Sequence, residues 1–187
     1  MQNSNYKYMA LAGLFAALTA VGAFIQVPLG FTSITLQTMI TFLAGVILGP
    51  KWGAMSQIVY VVLGLAGLPV FTKGGGISYL LQPSMGFLFA LILEAYVACA
   101  ITNNSYGTKS WLPKMIAAAI CAEAIAYAIG TPYMGAILNL HMGLGYSIQK
   151  IIMSGCIVYL PGDLVKVIVA ILISKPVLKA LKSAKLI

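Results

Sequence analysis

The sequence predicts an all-α membrane protein: a bundle of six transmembrane helices with ordered extracellular loops and both termini in the cytoplasm. Three observations carry this. Hydrophobic residues make up 61 % of the chain and charged ones 7 %, with a mean hydropathy of +1.00, whereas soluble domains are about one quarter charged. The 187 residues, at roughly 20 per crossing with short connections, hold about six helices in one domain. The lysines also gather at alternate ends of the apolar segments, as the positive-inside rule expects.

The net charge of +8 does not point to nucleic acid. All the basic residues are lysine, and arginine, the bidentate reader of phosphates, is absent. Cys99, Cys121 and Cys156 are isolated within apolar runs. That spacing suits neither a disulfide framework nor a zinc site. The apolar start lacks a distinct cleavage site, so the first helix is expected to stay in the protein.

The first helix is expected over about residues 8–26. Ala12, Ala16 and Ala20 repeat every fourth residue on it, with Gly13 and Ala17 on the adjacent row. Small residues in such stripes let two helix backbones approach in lipid, within the bundle or against a partner subunit. Val27 to Thr35 reads as a turn or short extended link. The second and third helices, about 36–49 and 53–68, meet at Gly49-Pro50-Lys51-Trp52-Gly53, a tight hairpin with a Trp beside a Lys at headgroup level.

Residues 68–83 form an ordered loop. Gly74, Gly75 and Gly76 give it freedom to turn, while Leu68, Val70, Phe71, Ile77, Tyr79 and Leu80 require cover. Protein, lipid or a ligand can provide that cover, and a lid over a ligand is the expectation. The fourth helix, about 84–102, contains Glu94. A polar stretch with Lys109, Trp111 and Lys114 leads to the fifth, about 112–131, which contains Glu123. Thr131 to Ser147 reads as a second broken connection, followed by a short outer helix over about 147–159. The last helix, about 160–182, opens at Pro161-Gly162-Asp163, with proline and an acid where helix N-termini prefer them.

With a cytoplasmic N-terminus, Lys7, Lys51, Lys109, Lys114, Lys175, Lys179, Lys182 and Lys185 fall inside and only Lys73 and Lys150 outside. The glycine loop and the start of the last helix then lie on the outer face.

Asp163 and Lys166 share a helix face near its start. Ionisable groups in a membrane segment cost about 2.5 to 3.5 kcal/mol at its centre on insertion scales, which makes the pair the leading site candidate. A self-satisfied ion pair at the helix end is the alternative. Glu123 and Tyr127, one turn apart, can face the same cavity, while Glu94 reads as a packing residue. Gln37 and Asn139 lie at outer helix ends, and Phe71 and Tyr79 offer flat surfaces for a ring. Gly107 to Ser110 lacks the earlier glycine of a phosphate loop, and Asn103-Asn104-Ser105 falls inside, away from glycosylation. One His and three acids supply no metal or hydrolytic centre.

The run Gly67-Leu68-Pro69-Val70-Phe71, the glycines 74 to 76, Pro83-Ser84 with Gly86-Phe87, and Pro161-Gly162-Asp163-Leu164-Val165-Lys166 resemble the BioY family. These are the biotin-specific substrate-binding components of energy-coupling-factor vitamin transporters. Gln82 and Met85 stand where family members usually have glycine.

The resemblance implies a prokaryotic plasma-membrane protein that takes up biotin, without enzymatic activity or cofactor. Its implied partners are a transmembrane coupling subunit and two cytoplasmic ATPases, docked on Ala12, Ala16 and Ala20. Asp163 and Lys166 would then meet the ureido group, and backbone N–H groups at Gly74 and Gly75 the carboxylate. A component for another vitamin, thiamine or riboflavin, and a self-sufficient secondary carrier are the competing readings.

Overall fold

The computed structural model describes residues 2–103, 105–184 and 186–187. Asn104 of the discounted acceptor motif, and Lys185 among the inside lysines, lie outside the described residues. Among those described, the chain forms α1 (Gln2–Phe24), β1 (Gln26–Leu29), β2 (Thr32–Thr35), α2 (Gln37–Leu65), α3 (Met85–Thr102), α4 (Trp111–Ala136), α5 (Ile148–Ile152) and α6 (Leu160–Ser183). Five helical runs are long and apolar enough to cross a membrane.

The second of these is a hairpin. Gly49 sits at φ 88° and ψ 171°, outside helical space, in a left-handed conformation that glycine adopts without strain. Gln37 Nε2 donates to Tyr60 OH at 2.7 Å and Thr41 Oγ1 to Gln57 Oε1 at 3.0 Å. In a straight helix Gln37 and Tyr60 would stand about 35 Å apart. Residues 37–48 and 50–65 therefore run antiparallel, turning at Gly49-Pro50.

Polar groups bind this hairpin to α1. Gln57, fully buried, donates to Thr19 Oγ1 at 3.3 Å and to Ser56 Oγ at 3.0 Å while accepting from Thr41. Thr19 in turn donates to the Phe15 carbonyl at 2.8 Å. Within lipid the hydrophobic effect does not hold helices together, and such interhelical bonds with close packing take its place.

Three local expectations are corrected. Ala12 and Ala16, expected on a docking face with Ala20, are buried in the chain's own core: Ala12 lies with Phe15, Leu43, Ile47 and Leu178, and Ala16 with Tyr60, Val61 and Leu88; Ala20 is partly buried against the Ala16 cluster. The exposed small residues of α1 include Ala10, Gly13 and Ala17. The link after α1, expected as a turn or short extended link, is extended and turns as a β-hairpin, with Gln26 opposite Thr35 and Leu29 opposite Thr32. Its two-residue turn has Gly30 at φ 73°, as the favoured hairpin turns require.

The fifth helix does not break at Thr131. It runs through Pro132 to Ala136 and ends in a π-helical turn at Ile137–His141. Proline removes one backbone donor, which membrane helices tolerate when neighbouring groups rebind the freed carbonyl. The outer helix expected over 147–159 is present but does not stand apart from the last helix. Ile148–Ile152 passes through a π-helical stretch, Met153–Ile157, toward Leu160, and Ile148–Ser183 forms one apolar helical run.

Candidate functional site

The glycine loop is built on Phe71. Its backbone pairs with Gly74, and its ring is fully buried between Tyr60, at 5.4 Å between centroids, and Tyr79, at 4.6 Å. Gly75 is pressed against the Leu68 carbonyl so closely that no side chain fits. A 3₁₀ turn, Ile77–Leu81, then swings Tyr79 inward. The Tyr79 hydroxyl lies 2.9 Å from Thr72 Oγ1 and 3.1 Å from Ser84 Oγ. Gln82, at φ −86°, and Met85, inside α3, occupy ordinary backbone conformations, so neither position needs glycine.

Below this loop lies a partly open cavity of about 70 Å³. β2 contributes Thr32 to Thr35, α2 contributes Gln37 and Thr38, and the loop contributes Thr72, Tyr79 and Ser84. Phe87, Leu88 and Leu91 of α3 form an apolar wall. Glu123 and Tyr127 come from α4, and Tyr159, Asp163 and Lys166 from the last helical run.

Lys166 Nζ stands 2.5 Å from Asp163 Oδ1. It also donates to the Thr35 carbonyl at 3.0 Å and to Thr38 Oγ1 at 2.7 Å. All three ammonium donors are thus engaged. Tyr127 OH donates to the other oxygen, Asp163 Oδ2. Acid and base are both 8 % exposed, so each depends on its partners for the solvation that water would otherwise supply. One turn earlier, Tyr159 accepts from Thr32 Oγ1 at 2.5 Å and donates to the Leu29 carbonyl at 2.9 Å, tying the β-hairpin to the rim.

Six of the residues picked from the sequence thus line one cavity: Asp163, Lys166, Gln37, Tyr79, Tyr127 and Glu123. Four do not. Phe71 lies behind Tyr79 as the core on which the loop is seated. Asn139 closes its own loop, donating to the Tyr146 carbonyl at 2.9 Å and accepting from the Tyr146 N–H at 2.6 Å. Gly74 and Gly75 are outside the lining, and the Gly74 N–H is spent on the Phe71 carbonyl at 3.2 Å. No anion nest faces the cavity from these two glycines.

Thr35, Thr38, Thr72, Ser84 and Tyr159 also line the cavity, although the sequence did not single them out as site residues. Tyr159 could have been found, since it lies four residues before Asp163 and therefore on the same helix face.

The BioY family model matches residues 1–183. The chain belongs to the BioY family. Among its relatives, the "Probable biotin transporter BioY" of Lysinibacillus sphaericus is 39 % identical over 180 residues, covering 96 % of this chain and 90 % of the relative. The "Biotin transporter BioY" of Thermotoga maritima is 37 % identical over 169 residues, covering 90 % and 94 %. The fold of this BioY-family chain matches the crystal structure of "the S-component for biotin from an ECF-type ABC transporter". The TM-score is 0.82 at 24 % identity, over 96 % of this chain and 94 % of that one.

Proposed function

We propose that this BioY-family chain binds biotin in the cavity beneath the glycine loop and serves as the substrate-binding component of an energy-coupling-factor transporter. The observation that carries the reading is a buried acid–amine pair on the wall of a cavity beneath the glycine loop. Biotin presents two ureido N–H donors flanking a carbonyl. Asp163 can accept from the N–H groups, and Lys166 can donate to the carbonyl. Phe87, Leu88 and Leu91 suit the fused apolar rings, and Tyr79 and Thr72 lie over the site as its roof.

The chain crosses a prokaryotic plasma membrane six times, counting both halves of α2, with its termini in the cytoplasm. ATPases on other polypeptides supply the energy through a coupling subunit.

Calorimetry on the purified protein tests the reading. The wild type is expected to bind biotin tightly and Asp163→Asn to lose the binding, while Asn139→Ala, away from the cavity, retains it. Wild-type protein that ignores biotin but retains thiamine or riboflavin through purification overturns the assignment.

A further inference from the structure

All three acidic residues of the chain, Glu94, Glu123 and Asp163, gather around Lys166. Only Asp163 is paired with it here. Glu94, in the middle of α3, is 2 % exposed, and its Oε1 has no hydrogen-bond partner. A buried polar oxygen left in this condition is destabilising, which marks it as awaiting a donor.

Beside it is a void of about 10 Å³, lined by Thr38, Glu94, Glu123 and Lys166 among apolar neighbours. That is room for one water-sized group, and an ammonium is such a group. Thr38, Glu123 and Lys166 line both this void and the main cavity, so they form the partition between the two.

We infer that the void is a second seat for the Lys166 ammonium and that Glu94 is its acceptor there, occupied when a ligand takes Asp163. This rests on the biotin reading above. Ligand N–H groups need the Asp163 oxygens, which Lys166 and Tyr127 now hold. A displaced ammonium in a membrane interior needs replacement acceptors. Pivoting about its 2.7 Å bond to Thr38 Oγ1, it keeps that contact, gives one N–H to the ligand carbonyl and one to Glu94. A carboxyl oxygen accepts in either protonation state. Glu94 is thus a positioning residue that acts through Lys166 and never touches the ligand.

The direct test is a structure of the full chain with biotin bound. Lys166 Nζ is expected within about 3.2 Å of a Glu94 oxygen; an ammonium still seated on Asp163 overturns the inference. The second test compares Glu94→Gln, which keeps an acceptor, with Glu94→Met, which keeps the volume without one. Gln is expected to hold biotin within a fewfold of wild type. Met is expected to weaken it about tenfold or more while the melting temperature of the unliganded protein stays level or rises. Met binding as tightly as wild type, or Gln losing as much as Met, overturns it. Failure of the biotin reading would look different: the wild type itself would not bind, and both proposals would fall.

Discussion

Lys166 donates to the main-chain carbonyl of Thr35 across 131 residues of sequence. The cation therefore holds the last helix to the end of the β-hairpin as well as answering Asp163. Lys166→Met should leave Asp163 buried without its cation, a loss of about 3–5 kcal/mol. A melting temperature lower by on the order of 10 °C is expected, together with loss of biotin binding. Lys166→Met with Asp163→Leu removes both charges. The double variant should regain most of the melting temperature and none of the binding, which separates the stability role from the ligand role. Lys166→Met melting as wild type would contradict this.

The packing of α2 on α3 depends on Gly45, where a Cβ would strike the Ala95 carbonyl. Backbone cannot yield as a side-chain tip can. Gly45→Ala is expected to cost about 1–3 kcal/mol through overpacking, read as a fall of several degrees in the melting temperature in detergent. Gly13→Ala is the control: a Cβ there meets nothing within 4 Å, so the melting temperature should hold or rise slightly.

Asp163 and Lys166 were legible in the sequence because charge inside an apolar helix has few explanations, and their three-residue spacing fixes a shared face. The hairpin at Gly49-Pro50 was legible for a similar reason, two helix breakers beside a Trp–Lys pair. Phe71 was misplaced because an aromatic beside a glycine loop looks equally suited to ligand and to core. Only the backbone pairing with Gly74 sends it inward under Tyr79. The alanine stripe was ambiguous in kind, since close packing inside a chain and between chains needs the same residues. Pro132 was overread as a break, although a helix can lose one hydrogen bond and continue.

Tyr79 ties the glycine loop to the cavity through its hydroxyl contacts with Thr72 and Ser84, at 2.9 and 3.1 Å, while its ring rests on Phe71. Tyr79→Phe keeps the ring and removes the ties, each worth about 1 kcal/mol. Biotin should dissociate several-fold faster with little change in melting temperature. Phe71→Leu, which withdraws the support beneath the ring, should both speed dissociation and lower the melting temperature. Equal dissociation rates for Tyr79→Phe and wild type would remove the loop from any part in retaining the ligand.

The hairpin in α2 makes the sharpest claim about topology. If residues 37–65 formed one straight span, Gln37 and Leu65 would emerge on opposite faces of the membrane. Folded at Gly49, the helix places both ends on one face and Lys51 on the other. Two contacts support the folded form: Lys73 Nζ reaches the Phe31 carbonyl at 3.2 Å, and Gln26 Nε2 lies 3.5 Å from the Thr72 carbonyl. The loop after α2 thus meets the hairpin before it. In a background with Cys99, Cys121 and Cys156 replaced by Ala, single cysteines at Ser33, Lys51 and Lys73 should report this in intact cells. A membrane-impermeant maleimide is expected to label Ser33→Cys and Lys73→Cys from outside, and Lys51→Cys only after the membrane is opened. Ser33→Cys and Lys73→Cys labelling from opposite sides would mean that α2 crosses once, and the acid–amine pair would then lose the outward-facing cavity on which the binding reading depends.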